Sequence, residues 1–463
     1  VLHRRLASVI ENEFPDLRKR QPELLARHYA AAGVADTAIE FWLDAVRLTF
    51  GRSAMAEALA HVASAEAELA SVADTAHRAQ LELATALLKG PALMNVHGSG
   101  SQVVADTYRH ALELAERVGR AEDRFTATWG LWLHHQMVGN FESAQASADD
   151  IVTIGRDLSD STYLLQAHHS AWTTEGHVGN HEKTHRHTEE GLALYDFEKH
   201  RRSMVMYGDH DAGVCGYVHR NLTSWSLGYF DQAEELASSA VELARKLKHP
   251  PSLMMAETHA AMFCQFLGEA DRVLEIAERI EQSSATYGLT SWRLNAEILI
   301  GWAKALSGEP GGFAQMETAI AAREAAGSRL RQPYFQAIYA QQLASVGRQE
   351  EAVPVLESAL AILDQTGERR WEPLLQAVKG EVLSVGEDAA AAERQYQLAV
   401  AIARKQQALG FELAAACGLA RLWSGQQRSE EANNLLSGTF GRFSEGFEKQ
   451  PLREARVLLE SVS

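Results

Sequence analysis

The residues of this chain best suited to chemistry are its imidazoles. The stretch "HEKTH" sets His181 and His185 four positions apart, with Glu182 between them. On a helix that spacing puts both rings on one face, where they could share a divalent metal while the carboxylate activates water. Three features argue against a metal enzyme. The motif straddles the turn at Gly179 and the helix after it, its neighbours Lys183, Thr184, Arg186 and His187 are polar, and no third ligand follows at a recognised spacing. The plainer expectation is a solvated helix start, with His181 and His185 as weak metal candidates. A second concentration, "YGDHDAGVCGYVH", holds Tyr207, His210, Asp211, Cys215 and His219. A His-Asp pair could bind a metal or a polar ligand there, although a loop held by Asp and Gly turn chemistry accounts for the same residues.

Tryptophan adds a positional signal. Trp132 and Trp172 each stand seven residues before a turn glycine, and Trp129 and His169 each stand ten before it. In stacked helix-pair repeats the first helix of each pair lines the concave surface. The candidate binding residues of an aromatic and imidazole-lined groove are therefore Trp129, Trp132, His135, His169 and Trp172, joined by Tyr207, His210 and Asp211. Packing between helices is the competing account of the tryptophans. No G-x-x-x-x-G-K-[ST] phosphate cradle and no G-x-S-x-G elbow occur, and "GSGS" at residues 98–101 lacks both a lysine and a preceding strand. Neither catalytic residues nor a cofactor is expected in this chain.

The elements that must position these residues are written as a ladder. Turn glycines recur at Gly139, Gly179, Gly228, Gly268, Gly308, Gly347, Gly386 and Gly425, with successive spacings of 40, 49, 40, 40, 39, 39 and 39 residues. Each unit reads as helix, glycine turn, helix and longer loop. The expected fold is all-α, an α-solenoid superhelix of elongated tetratricopeptide-like helix–turn–helix repeats with a period of 39–40 residues. The small residues Ala45, Ala240, Ala359 and Gly191, twelve positions after a turn glycine, would let second helices cross closely. One interval carries about nine extra residues, an insertion at about 195–216 that leaves the flanking register intact. Such insertions map to loops, often on the binding face, so the segment Tyr207–Cys215 is expected near the groove with Trp132 and Trp172. The domain reading is an N-terminal helical segment with a first repeat-like pair at 1–72, repeats over 73–440, and a capping helix at 441–463. The last places Leu452, Ala455, Leu458 and Leu459 on one face.

Composition supports an ordered, helix-rich chain. Of 463 residues, 46% are hydrophobic and only 10 are proline. The formal net charge of −17 opposes binding to nucleic acid or anionic membranes, both of which need a positive field. Three widely separated cysteines suit a reducing, cytoplasmic setting rather than a disulfide framework. No run approaches the roughly 20 apolar residues of a membrane helix. The chain opens on Val1 rather than methionine, which reads as a fragment or a processed chain.

Several phrases, "LHRRLA…FPDL…PELLARHYAAAGVADTAIEFW", "LALYDFEKHRRSMVMYGDHDAGVCG", "LGYFDQAEELASSAVELARKLKHPPSL", "SWRLNAEILIGWAKALSG" and "FSEGFEKQPLREARVLLE", together resemble the C-terminal region of bacterial multidomain class III adenylate cyclases and their predicted-ATPase relatives. The resemblance runs over essentially the whole chain. It implies an upstream cyclase domain and P-loop signalling ATPase in the same polypeptide, with this chain as a tetratricopeptide-repeat arm. That arm would bind a protein partner or small effector and regulate those modules. The opening "LHRRLASVIENEF" resembles the end of the winged-helix segment that follows such ATPases. Neither the cyclase metal aspartates nor a P-loop is present here, so catalysis does not carry over. Ala212 stands where the family often has a proline after the His-Asp pair. A stand-alone repeat scaffold, or the effector-sensing arm of a transcriptional regulator, fits the same residues.

Overall fold

The computed structural model describes every residue except Ser53, Glu387 and Ser463, and the side chain of Arg202. Among the described residues there are 25 α-helices and no strand, with 84% of the chain helical. The helices alternate between two kinds, and the apolar pattern explains which is which. Second helices bury a single stripe: Phe230–Leu247 does so with Phe230, Ala233, Ala237, Ala240 and Ala244, and Gln349–Thr366 with Ala352, Leu356, Ala359 and Leu363. That three-to-four-residue spacing is one helix face, with charges opposite. First helices such as Ala212–Leu227 and Pro250–Phe266 are buried on nearly all sides and so carry mainly small, apolar and uncharged polar residues, Arg220 and the ion-paired Glu257 being the charged exceptions.

The chain forms two compact units. The smaller comprises residues 1–136, 146–167 and 202–209, and the larger comprises 137–145, 168–201 and 210–463. The core of the smaller unit gathers Leu25, Ile39, Trp42, Val46 and Val62. Its helices approach closely where Tyr108 lies between Gly90 and Gly130; a methyl group at Gly130 would sit 2.4 Å from the phenol ring.

In the larger unit consecutive helices pack in pairs, and alternate helices from Ala212–Leu227 through Leu409–Gly425 stack on one another in series. Gly139, Gly179, Gly228, Gly268, Gly308 and Gly347 end first helices with φ between 73° and 95°, a left-handed turn that costs glycine little. The last two rungs depart from this. Gly386 has φ −78° and Gly425 belongs to the helix Leu409–Gly425, while Gln427 takes the left-handed conformation at φ 64°. Ala45, Ala240 and Ala359 are at most 1% exposed, and a methyl at Gly191 would lie 2.4 Å from Trp172, as the close-crossing expectation requires.

The extra residues fall between the helices His181–Leu194 and Ala212–Leu227. They form the short helix Phe197–His200, a 3-10 turn over Arg201–Met206, and a bend that ends at Asp211. The final helix, Gln450–Val462, buries Leu452, Ala455 and Val462. No helix of the described residues is long and apolar enough to cross a membrane.

The larger unit also closes on itself. The helix Ala212–Leu227 packs against Leu409–Gly425, with Trp225 edge-on to Phe411 at 4.8 Å between centroids. Four ladder glycines meet chain far ahead: Gly139 faces Thr366, Gly179 faces Gln406, Gly228 faces Leu409 and Phe443, and Gly268 faces Gln450. Glu445 accepts the backbone N–H groups of Asp231 and Gln232 at 2.9 and 3.0 Å, and Gly446 N–H donates to Asp231 Oδ2 at 2.9 Å.

Candidate functional site

The aromatic residues singled out by position are interior. In the smaller unit Trp129 and Trp132 are each 1% exposed and pack ring against ring, with centroids 5.0 Å apart. Tyr207, delivered by the inserted loop, stands edge-on to Trp129 at 5.1 Å. His135 is half-buried beside His134 and does not join this cluster. In the larger unit Trp172 is fully buried and stacks on His169 at 5.2 Å. The indoles therefore line no open surface; first helices in this chain are surrounded, and their largest side chains fill the space between repeats.

The remaining candidates meet around Trp172. His169 Nε2 and His210 Nε2 are 3.1 Å apart, and the Trp172 indole N–H points to Cys215 Sγ at 3.5 Å. Asp211 has a structural part in this. Its Oδ1 accepts the Val214 backbone N–H at 3.0 Å, capping the helix Ala212–Leu227, and its Oδ2 accepts the Tyr195 hydroxyl at 2.9 Å. Burial raises its carboxyl above the ordinary range.

The "HEKTH" residues correct the expectation of a solvated helix start. His181 is fully buried at the beginning of the helix His181–Leu194, with both ring nitrogens lacking hydrogen-bond partners, while His185 is half-buried. Glu182 and Lys183 alone of the motif are exposed. Two groups among the described residues place three donor atoms within 4.8 Å of one another: His169, His210 and Cys215, and the more exposed His168, His187 and Glu190. Neither includes His181 or His185.

Where distant repeats of the larger unit meet, the structure assembles charged residues that no local pattern announces. Glu368 is fully buried. Its Oε1 lies 3.0 Å from His177 Nδ1 and 2.9 Å from the Trp371 indole nitrogen, and its Oε2 accepts the Arg331 backbone N–H at 2.9 Å. Arg370, 2% exposed, donates through Nη2 to Thr223 Oγ1 at 3.1 Å, while its Nε has no partner. Arg331 Nη2 lies 3.3 Å from His259 Nε2. His219 Nδ1 is also unpartnered, and it stands with Arg370 Nη2 and Thr184 Oγ1 within 3.5 Å of the point where a side chain on Gly176 would begin. Neither the Arg331 nor the Arg370 guanidinium has a carboxylate within 4.0 Å among the described residues. Burial pushes Arg370 down to about 10, with Arg331 adding to the shift and Glu368 opposing it. Burial likewise drives His181, His219 and His259 well below the usual imidazole range, with Arg370 or Arg331 reinforcing it. A guanidinium pair with a single carboxylate for counter-charge can take up an anionic group.

Sequence reasoning missed this cluster because His177 and Glu368 are 191 residues apart. The segment "GERRW" does place Glu368 and Arg370 at the start of a first helix, but "GRAEDRF" and "SRLRQPYF" carry charge to the same place in other repeats, so it does not stand out.

No known family's sequence profile matches the chain. An uncharacterised protein of Rhizobium meliloti (strain 1021) is 27% identical over 419 residues, covering 88% of this chain and 40% of that protein. The chain thus spans well under half the length of that relative. Among solved structures, a Rap protein complexed with Competence and Sporulation Factor superposes with a TM-score of 0.57 at 11% identity, over 82% of this chain and 99% of the other. A signal-transduction ATPase with a tetratricopeptide-repeat sensor from Pyrococcus horikoshii has 14% identity and a TM-score of 0.42, over 83% of this chain and 55% of that one. The Rap likeness, together with the helix pairing, makes this an all-helical fold of the tetratricopeptide-like repeat kind.

Proposed function

We propose that the chain is the non-catalytic repeat arm of a larger signalling protein and that it binds an effector carrying an anionic group. The observation that carries this reading is the charge imbalance at the closure: two inward guanidiniums, one carboxylate already shared among three donors, and imidazole nitrogens without partners. Uncompensated charge of this kind is costly inside a protein. An anion entering there would gain charge-assisted hydrogen bonds and draw the two distant sets of repeats together. The coverage of less than half of a longer relative supports a parent protein with further domains. The resemblance to cyclase and ATPase proteins suggests that these are nucleotide-handling modules, and effector binding is in keeping with the Rap protein of similar fold, which is complexed with Competence and Sporulation Factor.

The test uses the longer parent protein. Nucleotide turnover and its response to stimulus are compared between the intact protein, an Arg370→Met variant, and a variant lacking this arm. Loss of the stimulus response in both variants is expected, whereas turnover and response that are unaltered in both would remove the regulatory reading.

A further inference from the structure

The inserted loop brings one donor group, His210, to two that the regular helices already provide. We propose that His169, His210 and Cys215 form a binding site for one d10 transition-metal ion, Zn(II) or Cu(I), independently of the anionic effector proposed above. The three donor atoms lie within 4.8 Å of one another, and the two imidazole nitrogens are 3.1 Å apart. Zinc held at ordinary Zn–N and Zn–S distances in a tetrahedral site separates its donors by about 3.3–3.6 Å, so only small side-chain adjustments are needed. Two imidazoles and a thiolate form a soft donor set, which suits these ions and not magnesium or calcium. Asp211, the nearest hard donor in sequence, is engaged by its helix cap and by Tyr195.

The surroundings hold the ligands in place. Trp172 stacks on the His169 ring and directs its N–H at Cys215 Sγ, and the Thr173 hydroxyl lies 3.9 Å from the same sulfur. Such outer contacts orient ligands and tune a thiolate. His169 and Cys215 are buried, and half-buried His210 gives the ion its approach from solvent. On binding, the Cys215 S–H bond breaks, its proton passes to solvent, and a sulfur–metal bond forms. Whichever imidazole donates in the metal-free pair moves its proton to Nδ1, and no electrons are transferred. The ion would tie the inserted loop and the helix Ala212–Leu227 to the helix Ser161–His177 of the preceding repeat.

The full chain, reduced and stripped of metal, is titrated with Co(II) as a spectroscopic stand-in for zinc, and separately with Cu(I) against a competing chelator. One equivalent should bind, with a thiolate-to-cobalt charge-transfer band that zinc displaces. Cys215→Ser should abolish the band, and His210→Ala should weaken binding more than tenfold while leaving the far-ultraviolet circular dichroism unchanged. Cys264→Ser should leave the band intact. Stoichiometric Cu(I) binding that needs Cys215, without a cobalt band, assigns the site to Cu(I). The His168–His187–Glu190 group has no sulfur and cannot produce the band. Absence of Cys215-dependent binding of either ion, or a band that survives Cys215→Ser, overturns the proposal. If Cys215→Ser does not fold, unchanged affinity in His210→Ala does so.

Discussion

Burial of histidine is the feature of single residues with the most direct consequence. His177, His181, His219 and His259 are all at most 4% exposed and all have depressed proton affinity, chiefly through burial. The charged groups facing them are Arg331 and Arg370, which deepen the shift, and Glu368, which opposes it at His177. These rings are neutral in the folded chain and take up protons once unfolded, below the usual value of 6.5. The unfolded state then binds more protons, so stability falls as the pH falls below about 6.5, by at most about 1.4 kcal/mol per pH unit for a ring. The loss runs only until that ring's own folded-state value is reached, soonest for His177, where Glu368 opposes the shift. Denaturant midpoints measured between pH 7.5 and 5 should drop steeply, and His181→Gln should flatten the dependence. A midpoint independent of pH over that range would contradict the burial. The shared offset of Trp132 and Trp172 was readable in the sequence, because local spacing fixes which helix carries them. Their enclosure was not: Trp132 packs on Trp129, which Tyr207 of the inserted loop meets edge-on, and Trp172 is covered by Gly191 of its partner helix and Cys215 of the next repeat.

At the scale of elements, the glycine ladder predicted helix ends well, because a left-handed residue closing a helix is a local requirement. What the turns touch was not encoded locally. Gly139 and Gly308 have the same φ of 73°, yet a methyl at Gly139 would lie 2.6 Å from Thr366 Cγ2, while at Gly308 it would meet nothing within 4 Å. Gly308→Ala should cost about 1 kcal/mol for the backbone alone. Gly139→Ala should cost about 1–3 kcal/mol more, the usual penalty for forcing volume into packed structure. Equal losses in chemical denaturation would show that Thr366 yields freely. The insertion was legible as a lengthened step. Its content was only half legible, since Asp211 reads as turn chemistry and proves to be a cap, whereas the pairing of His210 with His169 spans 41 residues and two elements.

The whole larger unit differs from an open repeat array in being fastened to itself. The repeat period established the helix pairs and their order, but a period says nothing about residues 214 positions apart, such as Asp231 and Glu445. That fastening can be tested by truncation. A chain ending at Gly441 lacks Glu445, Gly446 and the helix Gln450–Val462, so the amides of Asp231 and Gln232 should lose hydrogen-exchange protection although their own repeat is intact. Unchanged protection there would mean that the closure contributes nothing to local stability.

Repeat arrays ordinarily fold from any nucleus outward and fray from their ends, since each unit answers only to its neighbours. A clasp between Asp231 and Glu445 closes a circuit whose entropy cost exceeds that of joining units 40 residues apart by about 1.5 kcal/mol. The terminal helix therefore cannot fray without releasing a repeat in the middle of the chain. Melting becomes a shared event, and contact order is raised in a fold class that normally keeps it low.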